Sequence, residues 1–135
     1  MVLGDYHFLL VEPIDYSSSL GCPYSKETKE WLDATLADIT TNHPDQYVFV
    51  LTHPMIAATC YGSGSNIGSD KPLGNYWYTK DLTSILSKYP QVVTFGGHLH
   101  FPINDERSIM QTAFTSIGCG SVRYMAIEAG SYENM

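Results

Sequence analysis

The sequence predicts an α/β fold. Three runs rich in aromatic and branched apolar residues, 6–12 (YHFLLVE), 46–52 (QYVFVLT) and 91–95 (QVVTF), have the length of buried strands. Between them lie two spans, 26–40 and 79–89, whose apolar residues recur at helical spacing. That alternation predicts a largely parallel sheet joined by right-handed crossovers. The composition agrees, because 44% apolar, 13% aromatic and only 16% charged residues describe a folded globular chain, and 135 residues suffice for one modest core.

The first run is stopped by Pro13, which cannot donate to a strand ladder. His7 inside it reads as a packed or edge histidine. Residues 15–24 (DYSSSLGCPY) have the composition of a loop. Ser25 is placed to cap the first helix, in which Leu32, Leu36 and Ile39 share a face with Trp31 and Thr35 beside them; Asn42-His43-Pro44 ends it. His43 reads as a solvated turn residue. Residues 55–78 (MIAATCYGSGSNIGSDKPLGNYWY) are long, rich in Gly and Ser and aromatic at the end, which predicts a lid over a site. Tyr61, Asn75 and Tyr76 are its candidate substrate contacts, and Trp77 is expected to pack against the body. The second helix is predicted to be capped near Thr79, with Leu82, Ile85, Leu86 and Tyr89 facing inward and Pro90 closing it. After the third run follow a polar excursion over 101–108, a strand over 109–116, a Gly-rich turn over 117–121 and a last strand over 122–128. Residues 129–135 carry no clear pattern.

The chemistry is concentrated at two strand ends. The third run leads into Gly96-Gly97-His98-Leu99-His100, and residues two apart in extended chain project to the same side, so His98 and His100 are expected to aim at one small cluster. Gly96 and Gly97 are expected to let the backbone turn there without a Cβ clash. The second run leads directly into His53-Pro54, a histidine at the carboxyl end of a strand, where open α/β sheets place their ligands. Imidazole nitrogens suit zinc, iron, nickel or copper. The spacing alone leaves open a plain pair of polar loop histidines.

Net charge and cysteine count narrow the classes. A formal charge of -7 gives no basic footprint for a nucleic-acid polymer. Cys22, Cys60 and Cys119 are odd in number and lack C-x-x-C spacing, so neither a disulfide framework nor a thiolate zinc site is expected. No apolar run reaches the ~18 residues that a membrane span needs, and MVLGDYHFLL has neither the basic start nor the cleavage site of a signal peptide.

Taken in order, a strand ending in Thr52-His53-Pro54, a helix after a lid, and a strand ending in Gly97-His98-Leu99-His100 resemble the C-terminal half of the calcineurin-like metallophosphoesterases, especially the branch of purple acid phosphatases and cyclic-nucleotide phosphodiesterases. Residues 4–12 resemble the strand that follows that family's Gly-Asn-His motif. Trp31-Leu32 resembles the start of its W-L-x-x-x-L helix, and Ile117-Gly118-Cys119-Gly120-Ser121 its Gly-Ser turn. The likeness spans most of the chain. It implies a four-layer αββα sandwich, two β-sheets flanked by helices, and hydrolysis of phosphate mono- or diesters at a centre of two metal ions, iron, manganese or zinc. On that likeness His53 and His98 would share one ion and His100 would hold the other.

The first half of that family carries D-x-H, then G-D-x-x-D, then G-N-H-[DE] with a histidine that assists the leaving group, and the three together do not occur in this sequence. The resemblance therefore implies that residues 1–135 form the C-terminal portion of a catalytic domain, with the carboxylate ligands and the general-acid histidine upstream. Alone, such a piece is expected to hold at most one ion, weakly, to be inactive, and to self-associate through uncovered sheet surface. Two other readings compete. A cupin-like barrel also presents H-x-H followed by a glutamate, but Glu106 lies six residues after His100, further than that pattern wants, and two amphipathic helices do not belong in a barrel. A non-catalytic module could bind a partner through the aromatic lid with purely structural histidines, and metal content separates it from the first reading.

Overall fold

The computed structural model describes residues 1–16, 21–63 and 78–122. Its frame is a mixed six-stranded sheet in the order β1-β2-β3-β6-β8-β7. The strands are β1 (Val2–Leu3), β2 (Tyr6–Leu10), β3 (Val48–Thr52), β6 (Val92–Gly96), β7 (Ile109–Gln111) and β8 (Thr115–Gly118). The central pairs β2 with β3, β3 with β6 and β6 with β8 are parallel, while the hairpins β1 with β2 and β7 with β8 make both edges antiparallel. The strand expected over 109–116 is thus two strands, because the chain reverses between Gln111 and Thr115; the Thr112 N–H donates to the Phe114 carbonyl at 2.9 Å. The strand expected over 122–128 lies, apart from Val122, outside the described residues.

Helix α1 (Lys26–Asn42) crosses from β2 to β3. Ser25 caps it as the sequence predicts, its Oγ accepting from the Thr28 N–H at 3.0 Å, and the His43 N–H closes the last turn on the Ile39 carbonyl at 2.7 Å. Leu32, Leu36 and Ile39 are buried against Leu9, Val48, Val50 and Val92 on one face of the sheet, and Leu82, Ile85 and Leu86 complete that core. Trp31, beside the stripe, stays exposed. Full burial of each leucine contributes about 2 kcal/mol.

The region around the second helix differs from the expectation. Only α2 (Thr83–Leu86) is helical, with Leu82 rather than Thr79 at its start. Thr79 instead belongs to β5 (Tyr78–Thr79), which pairs in parallel with β4 (Met55–Ile56). The ladder hydrogen bonds outweigh a capping propensity worth about 1 kcal/mol. The beginning of the expected lid is likewise core. Met55, Ile56, Cys60, Tyr61 and Ser63 are all at most 4% exposed. The Ala57 N–H donates to the Thr79 carbonyl at 2.8 Å, and the Tyr61 N–H to the Arg107 carbonyl at 3.1 Å. Residues 64–77 of that segment lie outside the described residues.

The opposite face of the sheet is apolar too. Register places Phe8, Phe49 and Val93 in one row and Leu10, Leu51, Phe95 and Ile117 in the next. Phe8 stacks on Phe49 with centroids 4.9 Å apart, and Phe49 meets Phe95 at 6.0 Å. These aromatics are only partly buried, and Tyr6 and Leu10 are exposed. Among the described residues no helix is long and apolar enough to cross a membrane.

Candidate functional site

Four neighbouring parallel strands, β2, β3, β6 and β8, end at one level. The register pairs Leu10 with Leu51, Thr52 with Gly96 and Gly96 with Gly118, so the residues just beyond, Glu12, His53, Gly97 and Cys119, form a ledge along the carboxyl edge of the sheet. The Gly97 N–H donates to the His53 carbonyl at 2.9 Å, and the Cys119 N–H to the Gly96 carbonyl at 2.8 Å, which carries the ladder past the strand ends. A cavity of about 250 Å³ opens there, lined by Glu12, Thr52, His53, Gly97, Phe95 and Cys119 among others.

On this ledge His53 and His98 meet. The His53 Nε2 lies 2.9 Å from the His98 Nδ1, with the rings edge to face at 4.9 Å between centroids. One nitrogen must donate and the other accept, so the accepting imidazole must be neutral at that nitrogen. Burial, then the neighbouring His53 and His100 imidazoles, hold His98 below its usual pKa, which favours that neutral form. The spacing also has a second use: nitrogens bound at ~2.05 Å to one ion at a right angle stand about 2.9 Å apart. A separation of 2.9 Å is thus also one that two nitrogens on a single ion can have.

The backbone that delivers these side chains departs from the expectation. The strand ends at Gly96, and His98 and His100 both adopt left-handed backbone, at φ 67° and 57°. Leu99 closes a three-residue turn around His98, its N–H donating to the Gly97 carbonyl at 2.8 Å. The two histidines are therefore not alternating residues of extended chain. The positive φ falls on the histidines and not on the glycines, and histidine is among the residues that tolerate that region. Gly96 serves a different need: a Cβ there would meet the Met55 Sδ at 2.5 Å and its Cα at 3.1 Å, so glycine permits close approach of β4. A Cβ at Gly97 would meet nothing nearer than His53, at 3.7 Å.

His100 lies near enough to act on the charge of His98 and lines a smaller cavity with Met55, Cys60, Tyr61 and Phe101. Among the described residues, no three metal-capable side chains converge as a ligand set, so His53, His98 and His100 do not together form one. Tyr61 is 4% exposed, its ring against Phe101 at 4.4 Å and beneath the Arg107 guanidinium at 3.7 Å, so packing already occupies it. Asn75 and Tyr76 lie outside the described residues. Cys22, Cys60 and Cys119 are all thiols; burial raises the pKa of each, so none is primed as a thiolate.

Two side chains near the pair escape sequence reasoning. The Tyr16 hydroxyl donates to the Glu12 Oε2 at 2.6 Å, and its ring lies 5.7 Å from His53 and 6.4 Å from His98, centroid to centroid. Glu12 ends a strand-like run and Tyr16 sits in a loop. Only the register, which sequence does not show, brings them to the His53 level. No protein-family model, curated protein or solved structure matches the chain.

Proposed function

We propose that this chain supplies the histidine side of a metal centre that hydrolyses phosphate mono- or diesters, as the C-terminal portion of a calcineurin-like metallophosphoesterase domain with the four-layer αββα architecture. The observation that carries the reading is the 2.9 Å approach of His53 Nε2 to His98 Nδ1 at the carboxyl ends of adjacent parallel strands. In this reading His53 and His98 hold one ion and His100 faces a second, with the carboxylates that complete both sites contributed from upstream. Iron, manganese or zinc in such a centre polarises the ester phosphate and lowers the pKa of bound water. The chain's own part is to present neutral imidazoles from a rigid edge. His98, kept neutral by burial, needs little deprotonation to serve.

The test is metal titration of the chain above pH 7 with manganese, cobalt or zinc. One ion per chain, bound weakly and lost in His53→Ala and in His98→Ala, is the expected result. Binding unchanged in both variants would sink the assignment. A second reading has its own observation. The partly exposed aromatic face of Phe8, Phe49 and Phe95 suits a non-catalytic module whose histidines simply hydrogen-bond one another. Failure of the wild-type chain to take up any of these ions would favour that reading.

A further inference from the structure

We propose that Tyr16, tethered by Glu12, is a positioning residue that holds the His53 and His98 rings in the orientation that keeps them hydrogen-bonded to each other; the inference rests on the reading of that pair as metal ligands. Tyr16 is 40% exposed and lies in a loop, so burial alone does not fix its ring. The tether does. A 2.6 Å bond from the phenol to the Glu12 Oε2 has the length of a charge-assisted hydrogen bond. Glu12 is itself anchored just past β2, where Val11 is buried and its N–H donates to the Leu51 carbonyl at 3.0 Å. From this fixed point the Tyr16 ring stands edge-on to His53, at 72°, and tilted to His98, at 35°.

The three rings thus support one another. His53 and His98 cross at 76°, and Tyr16 touches both within the distance at which aromatic pairs attract. His53 is exposed, and the Tyr16 ring adds a second contact to its hydrogen bond with His98. With Tyr16 against its edge, it keeps Nε2 toward His98 Nδ1. Hydrogen-bonded partners behind a histidine ligand typically change metal affinity by about 10- to 100-fold, and a ring contact that sets orientation alone belongs at the lower end of that range.

The experiment compares the wild-type chain with Tyr16→Ala, Tyr16→Phe, Glu12→Ala and Glu12→Gln. Three quantities are read: cobalt affinity, the imidazole 15N shifts of His53 and His98 with chelator at pH 8, and thermal unfolding. In the wild type the two nitrogens of each ring should show well-separated donor and acceptor shifts. Tyr16→Ala should let them converge toward the average of exchanging tautomers and should weaken cobalt binding about 10-fold. Tyr16→Phe and Glu12→Ala, which keep the ring but cut the tether, should fall between, and Glu12→Gln, which keeps an acceptor, should resemble the wild type. Unchanged shifts in folded Tyr16→Ala would overturn the proposal. If that variant does not fold, unchanged shifts in both Tyr16→Phe and Glu12→Ala would do so. Shifts that respond in a chain that takes up no cobalt would leave the positioning role standing and remove the metal reading. Cobalt binding that no variant alters, with fixed shifts, would do the reverse.

Discussion

His98 is constrained in three ways at the sheet edge: left-handed backbone, partial burial and a second imidazole 2.9 Å away. Its folded pKa lies below the usual 6.5, so the unfolded chain binds that proton more tightly and acid favours unfolding. The stabilisation is complete above pH ~6.5 and is lost as pH falls through the depressed folded value. Thermal unfolding with chelator should therefore show a falling midpoint between pH 7 and pH 5. The slope should flatten in His98→Asn, which tolerates left-handed backbone but does not titrate. An identical slope in the variant would remove His98 as the cause. The neighbouring glycines should separate cleanly. Gly96→Ala drives a Cβ into Met55 and should cost about 1 to 3 kcal/mol in denaturant unfolding, as overpacking does. Gly97→Ala, with its nearest neighbour at 3.7 Å, should be close to neutral. Equal losses at both positions would show that the tight approach of β4 is not what Gly96 serves.

Among the elements, α1 was legible because each of its signals acts locally. Ser25 bonds a donor three residues away, and Leu32, Leu36 and Ile39 repeat at the helical period. Leu36→Ala should cost about 2 to 5 kcal/mol, since Leu36 is fully buried against the sheet; a loss below 1 kcal/mol would mean that the helix packs more loosely than its burial indicates. The start of the segment after β3, residues 55–63, differs from the expected lid for the complementary reason. Its glycines and serines suggest weak contacts, yet residues 55–63 are held by partners distant in sequence: Thr79, Arg107, and the carbonyls of Ser108 and Ser116, to which the Cys60 thiol donates. Amide exchange at Ala57 and Tyr61 should accordingly be as slow as at Val50. Fast exchange there would restore the lid. The site divides along the same line. The sequence shows that His53 and His98 each follow a strand, because strand ends are local. Their 2.9 Å meeting, and the arrival of Glu12 and Tyr16, depend on the register of three strands, β2, β3 and β6, which no local pattern encodes.

For the whole molecule, the two faces of the sheet set the behaviour of the chain on its own. One face is sealed by α1 and α2, while the other presents Tyr6, Phe8, Leu10, Phe49, Leu51 and Phe95 only partly buried or exposed. Apolar patches beyond a few hundred Å² seldom stay bare, so the sedimentation mass of the chain should rise with concentration, and Phe49→Arg should suppress the rise. A mass that stays constant up to high concentration would show that this face is covered. Activity follows from charge. Two divalent ions ~3.5 to 4 Å apart repel strongly, and catalytic pairs of them are held together by carboxylates that bring negative charge to the site. His53 and His98 bring no negative charge, and among the described residues no third metal-capable side chain joins them in a ligand set. A single ion on such a pair can polarise one oxygen, but it cannot clamp the attacking and the leaving oxygen together as two ions do. Residues 1–135 alone, supplied with manganese, iron or zinc, should therefore turn over neither an aryl phosphate nor its bis-ester. A longer protein that carries the carboxylate motifs upstream of this sequence should turn over at least one, and should lose it in His53→Ala. Equal turnover by the two, abolished in neither by His53→Ala, would show that the chemistry lies elsewhere than at the His53–His98 edge.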